Sequence, residues 1–198
     1  MKKKLVIILI IVGLLVIVAG IGYYWWWQNQ PENMIVIKDT PEGKLVINRK
    51  EGISMKVPEG WKVKKYVSDE VLEIQKFGPN QIIDTELQDG VVMEVYIQLN
   101  PQRLNIKEFA TQNWDYSKKE LKFSEINGKE TIKTVDKMSY AADENDKPIY
   151  LEKSRVIDIS FAKNKKVYIF SCTSVGQNYK KYNAECEKVI KDKIRNEF

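Results

Sequence analysis

An uninterrupted apolar run near the start of the chain limits what the first thirty residues can form. Residues 5–22 contain no charged side chain, and as a helix rising 1.5 Å per residue they span about 27 Å. This length nearly matches the hydrocarbon core of a bilayer, which is about 30 Å thick. Residues 5–27 are therefore predicted to form one transmembrane anchor.

The residues that flank this run predict its orientation. Residues 1–4 include Lys2, Lys3 and Lys4, whereas the first lysine after the run is Lys38. Because basic flanks stay in the cytoplasm, we expect a single-pass protein of the cell membrane with its N-terminus inside and its domain outside. Aromatic side chains where the helix leaves the lipid are typical of a membrane-interface belt. These are Tyr23, Tyr24, Trp25, Trp26 and Trp27.

A cleaved secretory signal is the alternative interpretation of the same segment, because it shares the basic start and the apolar centre. Its apolar centre is usually shorter, and the small residues Ala19 and Gly20 make a poor cleavage site. We favour the retained anchor, and both interpretations export the rest of the chain. A lipoprotein is excluded, because lipidation needs a cysteine at the cleavage point and the first cysteine is Cys172.

Composition excludes several classes of function. The net charge is +5, and without the three N-terminal lysines 29 basic residues stand against 27 acidic ones. Such a near-neutral domain is not typical of proteins that bind nucleic acid. The chain contains no histidine, which rules out triads built on histidine and zinc sites that need it. We expect no cofactor, since neither a phosphate loop nor a dinucleotide fingerprint occurs.

The two cysteines lie where they can join two elements of the exported domain. Cys172 lies in a strand-like segment, and Cys186 lies 14 positions later in a helical one. A disulfide between them is one interpretation, since export favours oxidation. Two buried free thiols are the other. Neither cysteine is expected to be catalytic, because the chain has no C-x-x-C motif and no histidine to activate a thiol.

The exported part is predicted to be a tether over residues 28–43, with a short strand at 34–37, followed by one domain over residues 44–198. Alternating apolar residues and turn signals predict seven or eight strands, mostly in hairpins with turns at 50–52, 127–128 and 163–165. Helical spacing predicts a helix capped by Asn105 and a final helix over 179–194. The predicted class is α+β, with helices packed on a largely antiparallel sheet.

A family resemblance is carried by residues 51–63, EGISMKVPEGWKV, in which a short strand runs into the turn formed by Pro58, Gly60 and Trp61. This segment resembles the opening of PsbP-like domains. The later order of a long apolar strand, a helix near 104–119, an Asn-Gly turn, an aromatic strand and a final helix is similar as well. The resemblance covers residues 44–198 and implies an α/β/α sandwich, as in PsbP and Mog-type proteins. It does not carry over the photosynthetic role, because the metal roles of PsbP histidines have no position here.

Other candidate sites each have a more ordinary interpretation. Trp61 and Trp114 are predicted to be packing residues rather than recognition surfaces. The loop with Asp143, Asn145 and Asp146 departs from the EF-hand pattern and is predicted to be a solvated hairpin tip. The serines lack the context of a nucleophile elbow: they are Ser54, Ser154, Ser160 and Ser171. Carboxylates that can pair as acid and base across a sheet are Glu94, Glu130, Asp136 and Asp158.

These observations predict a membrane-anchored binding or assembly module, not an enzyme, whose domain binds a protein partner outside the cytoplasm. A small-ligand or lipid-binding module is the alternative, with a pocket between sheet and helix lined by Trp114, Tyr96 and Tyr168. A weaker alternative is a hydrolase acting on envelope polymers, which requires carboxylates gathered in one cleft.

Overall fold

The N-terminal segment forms one long helix, α1 (Lys2–Gln28), in the computed structural model of the chain. The structure describes residues 2–28, 30, 34–41, 43–64, 71–82, 86–114, 120–142 and 148–197. Within them, α1 is the one helix long and apolar enough to cross a membrane, judged by length and composition. The window Ile10–Trp27 has a mean hydropathy of 1.9, and none of it is buried inside the structure.

The described part of the domain contains twelve strands and two helices. Helix α2 (Ile106–Asn113) lies between the sixth and seventh strands, and helix α3 (Tyr179–Glu197) follows the last strand. The strands are β1 (Ile35–Thr40), β2 (Gly43–Asn48), β3 (Ile53–Val57), β4 (Lys62–Lys64), β5 (Leu72–Phe77), β6 (Gly90–Leu99), β7 (Glu120–Ile126), β8 (Lys129–Asp136), β9 (Ser139–Ala142), β10 (Pro148–Tyr150), β11 (Ser154–Lys163) and β12 (Lys166–Val175).

The strands form three antiparallel sheets, and the predicted α+β class is confirmed. The main sheet has seven strands in the order β4-β5-β6-β12-β11-β8-β7. A smaller sheet has the order β1-β2-β3, and β9 pairs with β10 alone. The long apolar strand of the sequence resemblance is β6, which lies inside the sheet and pairs with β5 and β12.

The main sheet is covered on both faces, because successive residues of a strand point to opposite sides. On one face, Phe170 and Cys172 of β12 share a core with Ile190 and Ile194 of α3. The small sheet joins that core through buried apolar residues of β2 and β3, such as Val46 and Met55. On the other face, Val167 and Ile169 of β12 pack with Ile106, Phe109 and Ala110 of α2.

Hairpin turns follow the predicted positions. Asn127 and Gly128 have φ values of 51° and 76°, as the two central residues of a type I′ turn require. The turn between β11 and β12 consists of Asn164 and Lys165, since Lys163 pairs with Lys166. These turns are local, which explains why the sequence locates them.

Three predictions about the extent of elements are corrected by the structure. The tether was predicted over 28–43, but β1 pairs with β2 along its length and Ile35 is buried in the core. The folded part therefore begins nine residues before residue 44. Seven or eight strands were predicted, but twelve are described, in part because residues 129–142 and 148–163 each contain two strands that pair differently. The first domain helix begins after Asn105, as predicted, but ends at Asn113 because Trp114 is extended. Residues 115–119 lie outside the described part.

Candidate functional site

A cleft of about 1100 Å³ opens between the small sheet and helix α3. Strands β2 and β3 form one wall, the turn over residues 58–61 forms the end, and α3 forms the other wall. We call it the Lys193 cleft. Its apolar lining residues are Met55, Val57, Pro58, Trp61 and Val189, and its charged ones are Lys44, Lys56, Glu59, Lys76, Glu185, Lys188, Asp192 and Lys193.

The apolar wall of the cleft is set by strand alternation and by the turn that follows. Met55 and Val57 are two positions apart in β3, so both point toward the core. The backbone N–H of Trp61 donates to the carbonyl of Pro58 at 3.1 Å, and Gly60 takes a φ of 79°. This turn tucks Trp61 into the core at 7% exposure, the packing position that the sequence predicts.

Lys193 is the most unusual charged residue of the cleft, because its side chain is buried at 5% exposure. Its ammonium group donates a hydrogen bond to the backbone carbonyl of Ser54 in β3. Burial disfavours the charged form and lowers the pKa of Lys193 from 10.5 to about 8. Ser54 contributes its carbonyl, and strand alternation directs its side chain to the face opposite Met55 and Val57.

The charges around Lys193 are mostly positive. Five lysines and three carboxylates line the cleft, which gives a formal balance of +2. Lys76 forms an ion pair with Glu185 at 2.7 Å, and Asp192 lies 3.8 Å from Arg195 outside the cleft. The remaining balance favours an anion in the cleft.

A disulfide fastens the helical wall of the cleft to the main sheet. Cys172 of β12 and Cys186 of α3 are joined, with their Cα atoms 6.3 Å apart, and both are fully buried. Of the two interpretations that the sequence leaves open, the structure contains the disulfide. It fixes α3 about one turn before Val189 and about two turns before Lys193 and so holds that wall in place.

The pocket predicted between Trp114, Tyr96 and Tyr168 is wrong in its location. Tyr96 is opposite Ile169 in the β6–β12 pairing, whereas Tyr168 is opposite Ile97, so the two rings lie on different faces of the sheet. Tyr168 stacks on Phe161 at 5.2 Å. Trp114 packs on the α2 face, where its indole N–H donates to the Gln98 side-chain oxygen at 2.9 Å.

The four candidate carboxylates all lie on the α2 face of the main sheet, away from the cleft. Glu94 and Asp158 are both opposite Ser171, so the three form one row across β6, β12 and β11. Neighbouring strands are about 4.8 Å apart, which puts the backbones of Glu94 and Asp158 about 10 Å apart. Glu130 and Asp136 lie elsewhere along β8.

Each described carboxylate of this face has contacts of its own. Glu73 is directly opposite Glu94 and forms an ion pair with Lys64 at 2.7 Å. Asp158 accepts a hydrogen bond from the Thr134 hydroxyl at 3.1 Å. Within the described residues, no group of three or more acidic or cysteine side chains is arranged to hold a metal. Asp143, Asn145 and Asp146 lie outside that part.

The five aromatic residues predicted as an interface belt form the last turns of α1. Tyr23 contacts Trp26 with ring centroids 5.8 Å apart, and Tyr24 contacts Trp27 at 6.5 Å. All five side chains are exposed, as residues that face lipid headgroups need to be.

Sequence reasoning missed a buried acid at one end of the main sheet. Asp89 is 3% exposed, and its Oδ2 accepts a hydrogen bond from the backbone of Asn80 at 3.1 Å. Within the described part, its Oδ1 is a buried side-chain oxygen with no hydrogen-bond partner. The carboxylate lies between Gly78 and Gly176, neither of which leaves room there for a Cβ atom. Only these distant glycines signal the site, so a local pattern could not find it.

Comparisons with known proteins yield similarity to solved structures alone. No family model and no curated protein matches the chain. Among the similar structures, a protein from Bacteroides thetaiotaomicron is 12% identical at a TM-score of 0.39, with 70% of this chain and 42% of that chain covered. LpqN, involved in cell envelope biogenesis of Mycobacterium tuberculosis, is 12% identical at a TM-score of 0.44, with coverages of 70% and 79%.

The cyanobacterial PsbP (CyanoP) of Synechocystis sp. is also similar, at 12% identity and a TM-score of 0.44, with 74% of this chain and 88% of that chain covered. A PsbP is therefore among the structures that resemble this chain, as the sequence resemblance predicts. At these TM-scores the similarity is one of general fold and carries no function.

Proposed function

We propose that the chain is a membrane-anchored binding module, not an enzyme, and that it holds its ligand in the Lys193 cleft outside the cytoplasm. The observation that supports this most is the cleft itself. Its volume of about 1100 Å³ is slightly above the usual range for small-molecule sites, about 300–1,000 Å³, so the cleft has room for a sizeable ligand. Apolar walls with a few convergent polar groups are typical of such sites.

The anchor keeps the cleft near the membrane surface. Residues 29–34 separate the end of α1 from the start of β1, and a chain of this length spans at most about 25 Å. The lysines before α1 favour a cytoplasmic N-terminus and an exported domain. The disulfide fits an oxidising compartment, since disulfides are rare in the cytosol.

The composition and contents of the cleft favour binding over catalysis. Without histidine, the commonest general base is not available to this chain. Of the three cleft carboxylates, Glu185 is ion-paired with Lys76 and Asp192 lies 3.8 Å from Arg195, while Glu59 lies at the exposed rim. The sequence predicts a protein partner first and a small ligand second, and the size of the cleft favours the small ligand.

Photocrosslinking in the native membrane tests this proposal. Benzoylphenylalanine replaces Glu59 at the exposed rim of the cleft in the full-length chain, and a control chain carries it at Gln102, an exposed residue after β6. We expect adducts from position 59 that are absent from position 102 and that mass spectrometry can identify. No adduct from position 59, or the same adducts from both positions, would contradict the assignment of the cleft.

A further inference from the structure

We propose that the ligand of the Lys193 cleft is an anionic amphiphile, that is, an acyl chain with a negatively charged headgroup. This inference rests on the proposed function and names the chemical class of its ligand. It follows from two surfaces that meet in one cavity, an apolar wall and a group of lysines.

The apolar wall suits an acyl chain. Pro58 and Val189 are the half-buried apolar residues of the cleft, whereas Met55, Val57 and Trp61 are already buried in the core against which Val189 packs. Covering apolar surface stabilises a complex by about 25 cal/mol per Å² removed from water. The apolar surface left for an acyl chain to cover therefore lies between Pro58 of the turn and Val189 of α3.

The lysines define where the headgroup lies. Lys44 is directly opposite Val57 in the pairing of β2 with β3 and therefore shares its face. Lys188 and Lys193 approach from α3 on the other wall. An anion between these walls meets positive charge from both sides, with Glu59 at the rim and Asp192 drawn toward Arg195.

The burial of Lys193 strengthens its attraction for an anion. Coulomb interactions rise several-fold in a partly desolvated site compared with water. A cationic amphiphile would meet the same lysines as like charges, and a neutral one would gain nothing from them. The same cleft therefore distinguishes amphiphiles by charge.

Calorimetry tests the inference with three probes that share an octyl chain and one anion that has no chain. The full-length chain is placed in nanodiscs of neutral phosphatidylcholine, and empty nanodiscs are subtracted. The probes are octyl sulfate, octyl glucoside, octyltrimethylammonium and inorganic sulfate, none of which changes charge between pH 7 and pH 9. We expect octyl sulfate to bind at least tenfold more tightly than each of the other three.

Variants connect this preference to the cleft. Lys188→Gln should weaken octyl sulfate severalfold and Lys193→Met more than tenfold, whereas octyl glucoside should not respond. Lys181→Gln is the matched control, because Lys181 is an exposed lysine two turns earlier on α3 and lies outside the cleft. Val189→Thr should weaken octyl sulfate and leave inorganic sulfate unchanged, since only the chain contacts the apolar wall.

The pH dependence adds a readout that does not need a variant. The charged groups that line the cleft with Lys193 are Lys44 and Lys56 from the small sheet, Glu59 from the turn, Lys76 from β5, and Glu185, Lys188 and Asp192 from α3. Lys193 has a pKa of about 8, so octyl sulfate should bind severalfold more weakly at pH 9 than at pH 7. In Lys193→Met this difference should disappear.

The outcomes separate the two proposals. Equal binding of octyl sulfate and octyltrimethylammonium, or equal effects of Lys188→Gln and Lys181→Gln, would overturn the anionic class. A neutral molecule or a protein crosslinked from position 59 would do the same while the cleft remained a binding site. An anionic adduct from position 59 would support both proposals, and its mass distinguishes a two-chain membrane phospholipid from a free single-chain acid.

Discussion

Asp89 is packed tightly between two glycines, Gly78 and Gly176. Gly176 has a φ of 96°, and a Cβ atom there would collide with the Asp89 carboxylate and backbone. A buried acid in such a space is held by fit as much as by hydrogen bonds. The neighbourhood therefore tolerates little change at either glycine.

We expect Gly176→Ala to lower the free energy of unfolding by about 2–4 kcal/mol, since it combines overpacking with backbone strain. Gly52→Ala is the matched control, because Gly52 also has a positive φ, 66°, but would meet nothing within 4 Å. Strain alone should cost the control about 1–2 kcal/mol. Urea unfolding of the full chain in micelles, followed by near-UV circular dichroism, measures both. Equal losses would show that contact with Asp89 does not matter.

Lys193 should make the stability of the domain depend on pH above neutrality. Its pKa is about 8 in the folded chain against 10.5 for an ordinary lysine, so the unfolded chain binds more protons between these values. Stability then rises with pH from about 8 to about 10.5, by at most about 3 kcal/mol. Below pH 8 the cost of burying the charge is fully present.

Urea unfolding at pH 7 and pH 9.5 checks this sign. The free energy of unfolding of the natural chain should rise relative to that of Lys193→Met, in which the titrating group is absent. Comparing the two chains at each pH cancels the contributions of the other lysines and tyrosines. A difference that stays constant, or that falls as the pH rises, would refute the assignment.

At the scale of elements, helix α3 depends on one covalent link to the main sheet. The disulfide between Cys172 and Cys186 closes a loop of sequence separation 14, which in the chain-entropy model stabilises the fold by about 3 kcal/mol. Because α3 also forms one wall of the Lys193 cleft, the link matters for the site as well as for stability.

The double variant Cys172→Ala with Cys186→Ala should therefore unfold with a free energy lower by about 3 kcal/mol. Reductant should lower the stability of the natural chain by a similar amount and leave the variant unchanged. Unfolding curves of both chains with and without dithiothreitol provide the comparison. A variant as stable as the natural chain would show that packing alone holds α3 on the sheet.

Elements set by local sequence were predictable. The turn at Asn127 and Gly128 has two positive φ angles, and Asn followed by Gly is the residue pair that most favours them. The cap of α2 was equally readable, since the Asn105 side chain accepts from the backbone of Glu108 and the Glu108 side chain accepts from the backbone of Asn105.

The cleft was not predictable from such local signals. Lys193 and Ser54 are separated by 139 positions. A lysine on a helix is normally predicted to be exposed to solvent, so its burial cannot be predicted without knowing this distant partner. The strand predicted at 34–37 was too short and was assigned to a tether, because the second half of β1, with Lys38 and Asp39 exposed, does not alternate clearly. The prediction of a pocket between Trp114, Tyr96 and Tyr168 was wrong, because the presence of aromatic residues does not determine which face of a strand each ring occupies.

At the scale of the whole molecule, the 58–61 turn connects the two sheets beside the cleft. It leads from β3 of the small sheet directly into β4 of the main sheet, so the mouth of the cleft lies where the sheets diverge. In the proposed membrane-anchored arrangement, the six residues between α1 and β1 keep the start of β1 within about 25 Å of the end of α1. A ligand delivered from the bilayer surface would therefore be within reach of the domain.

The orientation of α1 in the membrane decides whether the domain and its cleft lie outside the cytoplasm. Because Lys2, Lys3 and Lys4 precede α1, we expect the N-terminus to stay in the cytoplasm and the domain to lie outside.

Both natural cysteines are joined in the disulfide, so an introduced cysteine can be labelled selectively. Lys165→Cys, at the exposed turn between β11 and β12, should react with a membrane-impermeant maleimide in intact cells. A cysteine inserted after Met1 should react only after the cells are permeabilised, and the labelled chain should have its full mass. Labelling of the N-terminal cysteine alone in intact cells would reverse the orientation, and a mass lacking about the first 20 residues would show a cleaved signal.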